Sequence, residues 1–346
     1  MKRWLLALGL LLVPSWALAQ GCGPTNPNCI VPTAPVGTSN NQAASTAFVA
    51  NAFGNTNLTR IKLLAPTTFY ADSSAGTDNA TCGLASGVSA CASYQYLFAS
   101  RFVPNYDCGG QVVTLSLANN DTQGLAIGTP WTGGCYVVLQ GPGGSPPTIG
   151  LNPSGAFAGN PAINIGVPLP GVLVIQGMTL GSTGGGNGHA IAMLATGIVQ
   201  LRGNVVFNSV GSGASHIFLN AAGANLYCYN SSGGGGGNSY TINSGALFHY
   251  AVLAGSISCA TMTFAINGTP TFTVFAGAYN SGSAINLQAA TFAGSGYTGS
   301  PSVTGQRWLT SNNGSILFVG NSSCVAGANL LPGSTPGTCS NGGQFL

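Results

Sequence analysis

Asp72, Asp78, Asp107 and Asp121 are the whole acidic complement of the chain, which contains no glutamate. Cleaving a polysaccharide by hydrolysis or elimination needs acids in clusters. Either two carboxyls stand roughly 5–9.5 Å apart to protonate the leaving group and activate water, or several hold calcium beside a basic residue. Only these four Asp are available to form such a pair. Asp78 in GTDN and Asp121 in NNDT lie in turn-like contexts, where an Asp side chain bonds nearby backbone N–H groups. From residue 151 to the C-terminus there is no Asp, Glu or Lys. A structural role is the favoured reading of each Asp, and no catalytic residue is assigned.

His189, His216 and His249 fall near the starts of three successive repeats, His189 one position out of step with the other two. A metal would need ring nitrogens about 2.0–2.1 Å from one ion. Rings on neighbouring coils stand about 4.7–4.9 Å apart, so a ladder of side chains at a coil corner is the expected arrangement. No GxSxG elbow occurs, and the second half has no Asp to orient a histidine for a serine nucleophile. The glycine runs 184–186 and 233–237 lack the Lys-Ser/Thr and the helix N-terminus of a phosphate cradle, and read as loops. No metal or cofactor is implied. The aromatic residues Trp131, Tyr136, Tyr227, Tyr229, Tyr240, Tyr250, Tyr279, Tyr297 and Trp308 remain. Those that line an outer groove among Asn, Ser and Thr would bind neutral sugars by stacking and hydrogen bonds; the others fill the core.

The elements that must position these groups begin with an export signal. Lys2 and Arg3, an apolar run from Trp4 to Val13 and Ala17-Leu18-Ala19 predict a signal peptide over residues 1–19, too short to span a membrane. Acylation of Cys22 is the weaker reading of this end, because Ala19-Gln20-Gly21 is a poor lipobox. All ten cysteines follow the cleavage site, as suits an oxidising periplasmic, cell-surface or secreted location. Their order suggests local pairs: Cys22 with Cys29, Cys82 with Cys91, Cys108 with Cys135, Cys228 with Cys259, and Cys324 with Cys339. Charged residues are 3% of the chain, and Arg60, Lys62, Arg101, Arg202 and Arg307 are too scattered for the basic face that nucleic acid requires.

Residues 20–63 read as a Gly/Pro/Asn-rich leader followed by a short helix, in which Ala44, Phe48 and Ala52 share one face for self-association. Residues 64–160 then show short apolar strands punctuated by Gly, Asn, Ser and Pro, residues 161–320 carry a degenerate repeat, and residues 321–346 form a capping tail. The repeats start at Ala162, Ala190, His216, His249, Thr273 and Arg307, with spacings of 28, 26, 33, 24 and 34 residues. Alternation sends Ile163, Ile165, Ile191, Met193, Ile217, Leu219, Tyr250 and Val252 inward, where stacked coils would form one apolar column. The expected fold is all-β, a right-handed parallel β-helix, favoured over a β-sandwich or jelly roll because of the repetition.

Three segments together resemble phage tail-fibre or tailspike-like β-helix proteins of the pectate-lyase-like superfamily. NQAASTAFVANAF is similar to a helical element of tail fibres, through Ala44, Thr46, Ala47, Phe48 and Val49. FYADSSAGTDNATCGL resembles the opening motif of such helices, through Phe69, Tyr70, Gly76, Asp78, Gly83 and Leu84. GQRWLTSNNGSILFVGN with the tail LLPGSTPGTCSNGGQFL resembles a C-terminal signature, through Arg307, Asn313, Gly314, Pro332, Gly333, Gly337, Gly342, Gly343 and Gln344. The signal peptide and the cysteines depart from virion proteins, which assemble in the cytoplasm, and fit an exported cellular relative. The resemblance implies a homotrimer. Together with the sparse acids it leads to the expectation of a non-catalytic protein that recognises a cell-surface or environmental glycan or builds an extended structure; the alternative is a polysaccharide lyase or glycoside hydrolase.

Overall fold

The computed structural model describes residues 60–141, 150–151 (backbone only), 160–182, 185–229, 240–293, 303–318 and 331–346. The chain divides into two units, Met1–Thr59 and Arg60–Leu346, and every described residue lies in the second. The signal peptide, the Ala44–Phe48–Ala52 helix, Cys22, Cys29, Cys324, Tyr297 and the 233–237 glycine run lie outside the described residues.

The second unit is all-β, with a twenty-stranded sheet whose described pairings are parallel and form three ladders. The first ladder joins Leu125–Ile127, Ile163–Ile165, Ile191–Met193, Ile217–Leu219, Tyr250–Val252, Ala276–Ala278 and Trp308–Thr310. A second runs from Thr67–Ala71 through Val112–Leu117, Tyr136–Gln140 and the starts of Val172–Leu180 and Gly197–Phe207 to Gln344–Phe345. The third stacks Gly150–Leu151, Thr179–Leu180, Val205–Phe207, Tyr240–Ile242, Phe264–Ile266 and Phe292–Ala293.

Period-2 alternation explains why these sequences pair this way. The residues opposite one another in the second ladder, Val113, Val137, Leu173, Val199, Leu226, Ile257, Ile285, Ile316 and Phe345, are all buried. Slipping any strand by one residue would turn its apolar set outward, at about 1.5–3 kcal/mol for each large side chain exposed. The eight residues expected to point inward from the first ladder are likewise buried and in register. One repeat start needs correction: His249 lies opposite Phe275, because Phe248 pairs with Val274 and Tyr250 with Ala276. Thr273 is therefore two residues early. Where the second ladder turns into the third, Gly177 and Gly203 adopt φ of 58° and 62°, a left-handed corner that side chains disfavour.

Uncharged side chains bridge adjacent rungs where a charged surface would be expected. Thr263 bonds Thr291 (3.0 Å), Thr304 donates to Thr271 (2.8 Å), Asn267 to Asn243 (2.9 Å) and Ser256 to Asn225 (2.6 Å). Disulfides join Cys82 to Cys91, Cys108 to Cys135 and Cys228 to Cys259. Cys339 is disulfide-bonded as well, and its expected partner Cys324 is outside the described residues. Among the described residues no helix is long and apolar enough to cross a membrane.

A helical stretch that the sequence reading did not anticipate covers Tyr94–Tyr96, Leu97–Phe102 and Val103–Asn105, its middle portion π-helical. Tyr94, Phe98 and Phe102 recur every four residues and are fully buried, the stripe of a helix pressed on a core. Phe102 meets Phe69 of the Thr67–Ala71 strand at 5.9 Å and Phe98 meets Trp131 at 6.3 Å.

Candidate functional site

Each Asp carboxylate is committed to nearby backbone. Asp78 accepts from the N–H groups of Ala92 (2.7 Å) and Ser93 (3.2 Å), and Asp121 from those of Tyr94 and Gln123. The two acids thus satisfy the N–H groups that open the helix, which have no partners within it. Ser93 caps the same helix by accepting from Tyr96 N–H. Asp72 accepts from Ser74 and Ala75 N–H and from the side chains of Ser74 and Asn119, and Asp107 from Gly109 N–H. Burial works to raise the Asp72 carboxyl, but these bonds outweigh it and hold the group below its usual value. Asp121 goes the other way. Burial pushes it up against the pull of the Tyr94, Gln123 and Gly124 N–H groups, and the Asp78 charge adds to the rise. Asp78 also lies within 4.8 Å of the Cys82 and Cys91 sulfurs, which are joined in a disulfide and offer a metal no thiolate.

His216 and His249 meet inside the core rather than on an outer face. Their Nδ1 atoms are 2.9 Å apart, so one must donate and the other accept, and both rings are fully buried among Phe207, Phe272 and Phe275. Neither Nε2 makes a hydrogen bond. Burial pushes His216 down to about 3, partly offset by the Asn208 backbone. Burial and then the neighbouring His216 hold His249 well below its usual value. Both are neutral at pH 7, and this pair braces two rungs across the core. His189 is one step out of register and accepts from Ser215 N–H at Nδ1 (2.9 Å).

Two outward features have the chemistry of a binding surface. On the second ladder the Arg202 guanidinium lies 5.8 Å from the centre of the Tyr136 ring and 5.5 Å from that of Tyr229, within cation–π range. Arg202 also donates to Gln200. Tyr136 and Tyr229 are 42% and 43% exposed. Gln140 and Gln176 occupy the same outward column as Arg202, so the patch pairs aromatic faces with amides. Of the remaining aromatics singled out from sequence, Trp131, Tyr240, Tyr250 and Trp308 are buried.

On the first ladder Asn164, Ala192 and Phe218 stand opposite one another on successive rungs. The small Ala192 leaves a hollow between its two larger neighbours, a cleft of about 260 Å³ lined also by His189, Asn160 and Asn187. The His189 ring stacks on Phe218 at 4.6 Å with 4° between planes. Sequence reading missed this site because Asn164 and Phe218 look unrelated until the register places them one rung either side of an alanine. No known protein family, curated protein or solved structure matches the chain.

Proposed function

We propose that this is an exported, non-catalytic right-handed parallel β-helix, related to tail-fibre and pectate-lyase-like proteins, that recognises a neutral glycan through its outward faces. The three in-register ladders support the helical reading: parallel strands joined by crossovers pack back on the sheet with a right hand in nearly every case. The disulfides suit an oxidising compartment. The observation that carries the function is the division of labour among polar groups. The four carboxylates are held by backbone and turn hydrogen bonds, whereas Tyr136, Tyr229, Arg202, Gln140 and Gln176 face outward with rings and amides. Such a surface stacks on the C–H face of a sugar and bonds its hydroxyls through amides and one guanidinium, with no carboxylate among these residues. A homotrimer would extend this surface by repeating it.

The rival reading is a glycoside hydrolase built on Asp78 and Asp121, favoured by the raised pKa of the buried Asp121 carboxyl beside a second acid. A glycan array probed with the mature protein, together with reducing-sugar release from each retained glycan, separates the two. Retention without release supports recognition. Release that disappears in Asp121→Asn establishes the hydrolase and removes the proposal.

A further inference from the structure

The geometry points to the cleft over Ala192 as a subsite for one N-acetylated sugar residue, an inference that rests on the glycan reading above and names the unit recognised. Four features of the cleft carry it. The first is a fixed donor. Because His189 Nδ1 accepts from Ser215 N–H and burial holds the ring below its usual pKa, partly offset by the Ser215 backbone, the neutral ring carries its proton on Nε2. His189 lines the cleft, so it offers a ligand an N–H donor and no charge.

The second is an acceptor in need of a donor. Asn164 Oδ1 is buried and makes no hydrogen bond within the protein, although Asn164 lines the same cleft. A buried acceptor left in this state is destabilising, and a ligand N–H satisfies it. The third is apolar. Ala192 forms the floor and Phe218 a wall, and the Phe218 ring is held by the parallel His189 ring. The fourth is size. At about 260 Å³ the cleft is below the roughly 300–1,000 Å³ of pockets that hold drug-sized ligands, which restricts it to a single ring.

An acetamido group matches these features together: its N–H meets Asn164 Oδ1 once the Asn164 carboxamide turns toward the cleft, its carbonyl oxygen accepts from His189 Nε2–H, and its methyl lies against Ala192 and Phe218. A hydroxyl at the same ring carbon satisfies one polar partner at a time and leaves the apolar pocket unfilled. Asn160 and Asn187 at the rim bond the remaining hydroxyls. Among the described residues no carboxylate or cation lines the cleft, so the sugar is neutral.

The test uses the full mature chain with N-acetylglucosamine and glucose as a matched pair, followed by saturation-transfer NMR. N-acetylglucosamine is expected to bind at least about tenfold more tightly than glucose, with the strongest transfer to its acetyl methyl. Ala192→Leu fills the floor and should abolish binding, and Asn164→Ala should weaken it about tenfold; unfolding curves establish that both variants remain folded. Equal binding of the two sugars, or full binding by folded Ala192→Leu, overturns the assignment. Array binding to glycans without acetamido groups that survives Ala192→Leu also overturns it, while leaving glycan recognition by the Tyr136–Arg202–Tyr229 face intact. Absence of binding to every glycan on the array removes both proposals.

Discussion

Acid should destabilise this protein well above the pH at which its carboxylates protonate, and the cause is the His216–His249 pair. In the unfolded chain an imidazole takes up a proton near 6.5, whereas in the fold His216 is held down at about 3 and His249 well below its ordinary value. Between these limits the unfolded state binds more protons than the native state, so stability falls as pH falls. At pH 5, one and a half units below the unfolded value, the neutral buried His216 ring costs about 2 kcal/mol, and His249 adds to it in the same direction. The loss is a large part of a domain's usual net stability of about 5–15 kcal/mol. The other titratable group against the pair is Tyr250, which burial pushes upward and away from this range. His189, lowered by burial, adds in the same direction. Asp72, lowered, loses its contribution only further into acid, and Asp121, raised, opposes the trend.

The assay is urea unfolding followed by near-ultraviolet circular dichroism at pH 7.5 and pH 5. Wild type should lose at least about 2 kcal/mol between the two, and the double variant His216→Leu/His249→Leu should lose far less. At pH 7.5 either single substitution leaves the remaining Nδ1 unpaired and costs about 1–3 kcal/mol, while the double removes both partners and costs less than the sum. A double variant with the wild-type pH dependence would refute the reasoning, whatever its absolute stability.

Other outcomes follow from the same structure. Replacing Cys228 and Cys259 by Ser opens a link across 31 residues and should cost about 3–4 kcal/mol, measured by chemical denaturation. Tyr136→Ala and Tyr229→Ala remove half-exposed rings. Each should weaken a glycan retained on the array about fivefold to tenfold and move stability by less than about 0.5 kcal/mol. Gly141→Ala would place a methyl 1.9 Å from the Gly177 carbonyl oxygen; forcing two rungs apart should cost about 3 kcal/mol or more, read as a lowered midpoint.

The parts of this fold that could be read from sequence are those governed by a period of two. Ile163, Ile191, Ile217 and Tyr250 alternate with outward residues, and that pattern alone assigns them to one column. Register was readable only within limits. TFTVFAGA alternates well from either Thr271 or Thr273, and what fixes Phe275 opposite His249 is the long-range pairing of Phe248 with Val274. The helix at Tyr94 carried a signal in Ser93 followed by the Tyr94, Phe98, Phe102 spacing, but Pro104 and the surrounding strand texture masked it. Two polar rings in the core carry no local signal, since His216 and His249 are burial-compatible only in each other's company. The cleft was hidden for a related reason. Its floor is an alanine, and a hollow is a property of neighbours on other rungs.

The placement of charge follows from where stacking fails. Within the ladders the inner strands have a neighbour on each side to take their backbone hydrogen bonds, and Thr, Ser and Asn bridge adjacent strands at no desolvation cost comparable to that of an ion. Among the described residues no strand precedes Thr67–Ala71 in its ladder, and a helix packs there, through Phe98 and Phe102 against Trp131 and Phe69. A helix brings unpaired N–H groups at its start, and the turns around it bring more. All four carboxylates lie in this region, between residues 72 and 121, and each accepts from such N–H groups. The acids of this protein therefore cluster where the described ladders begin.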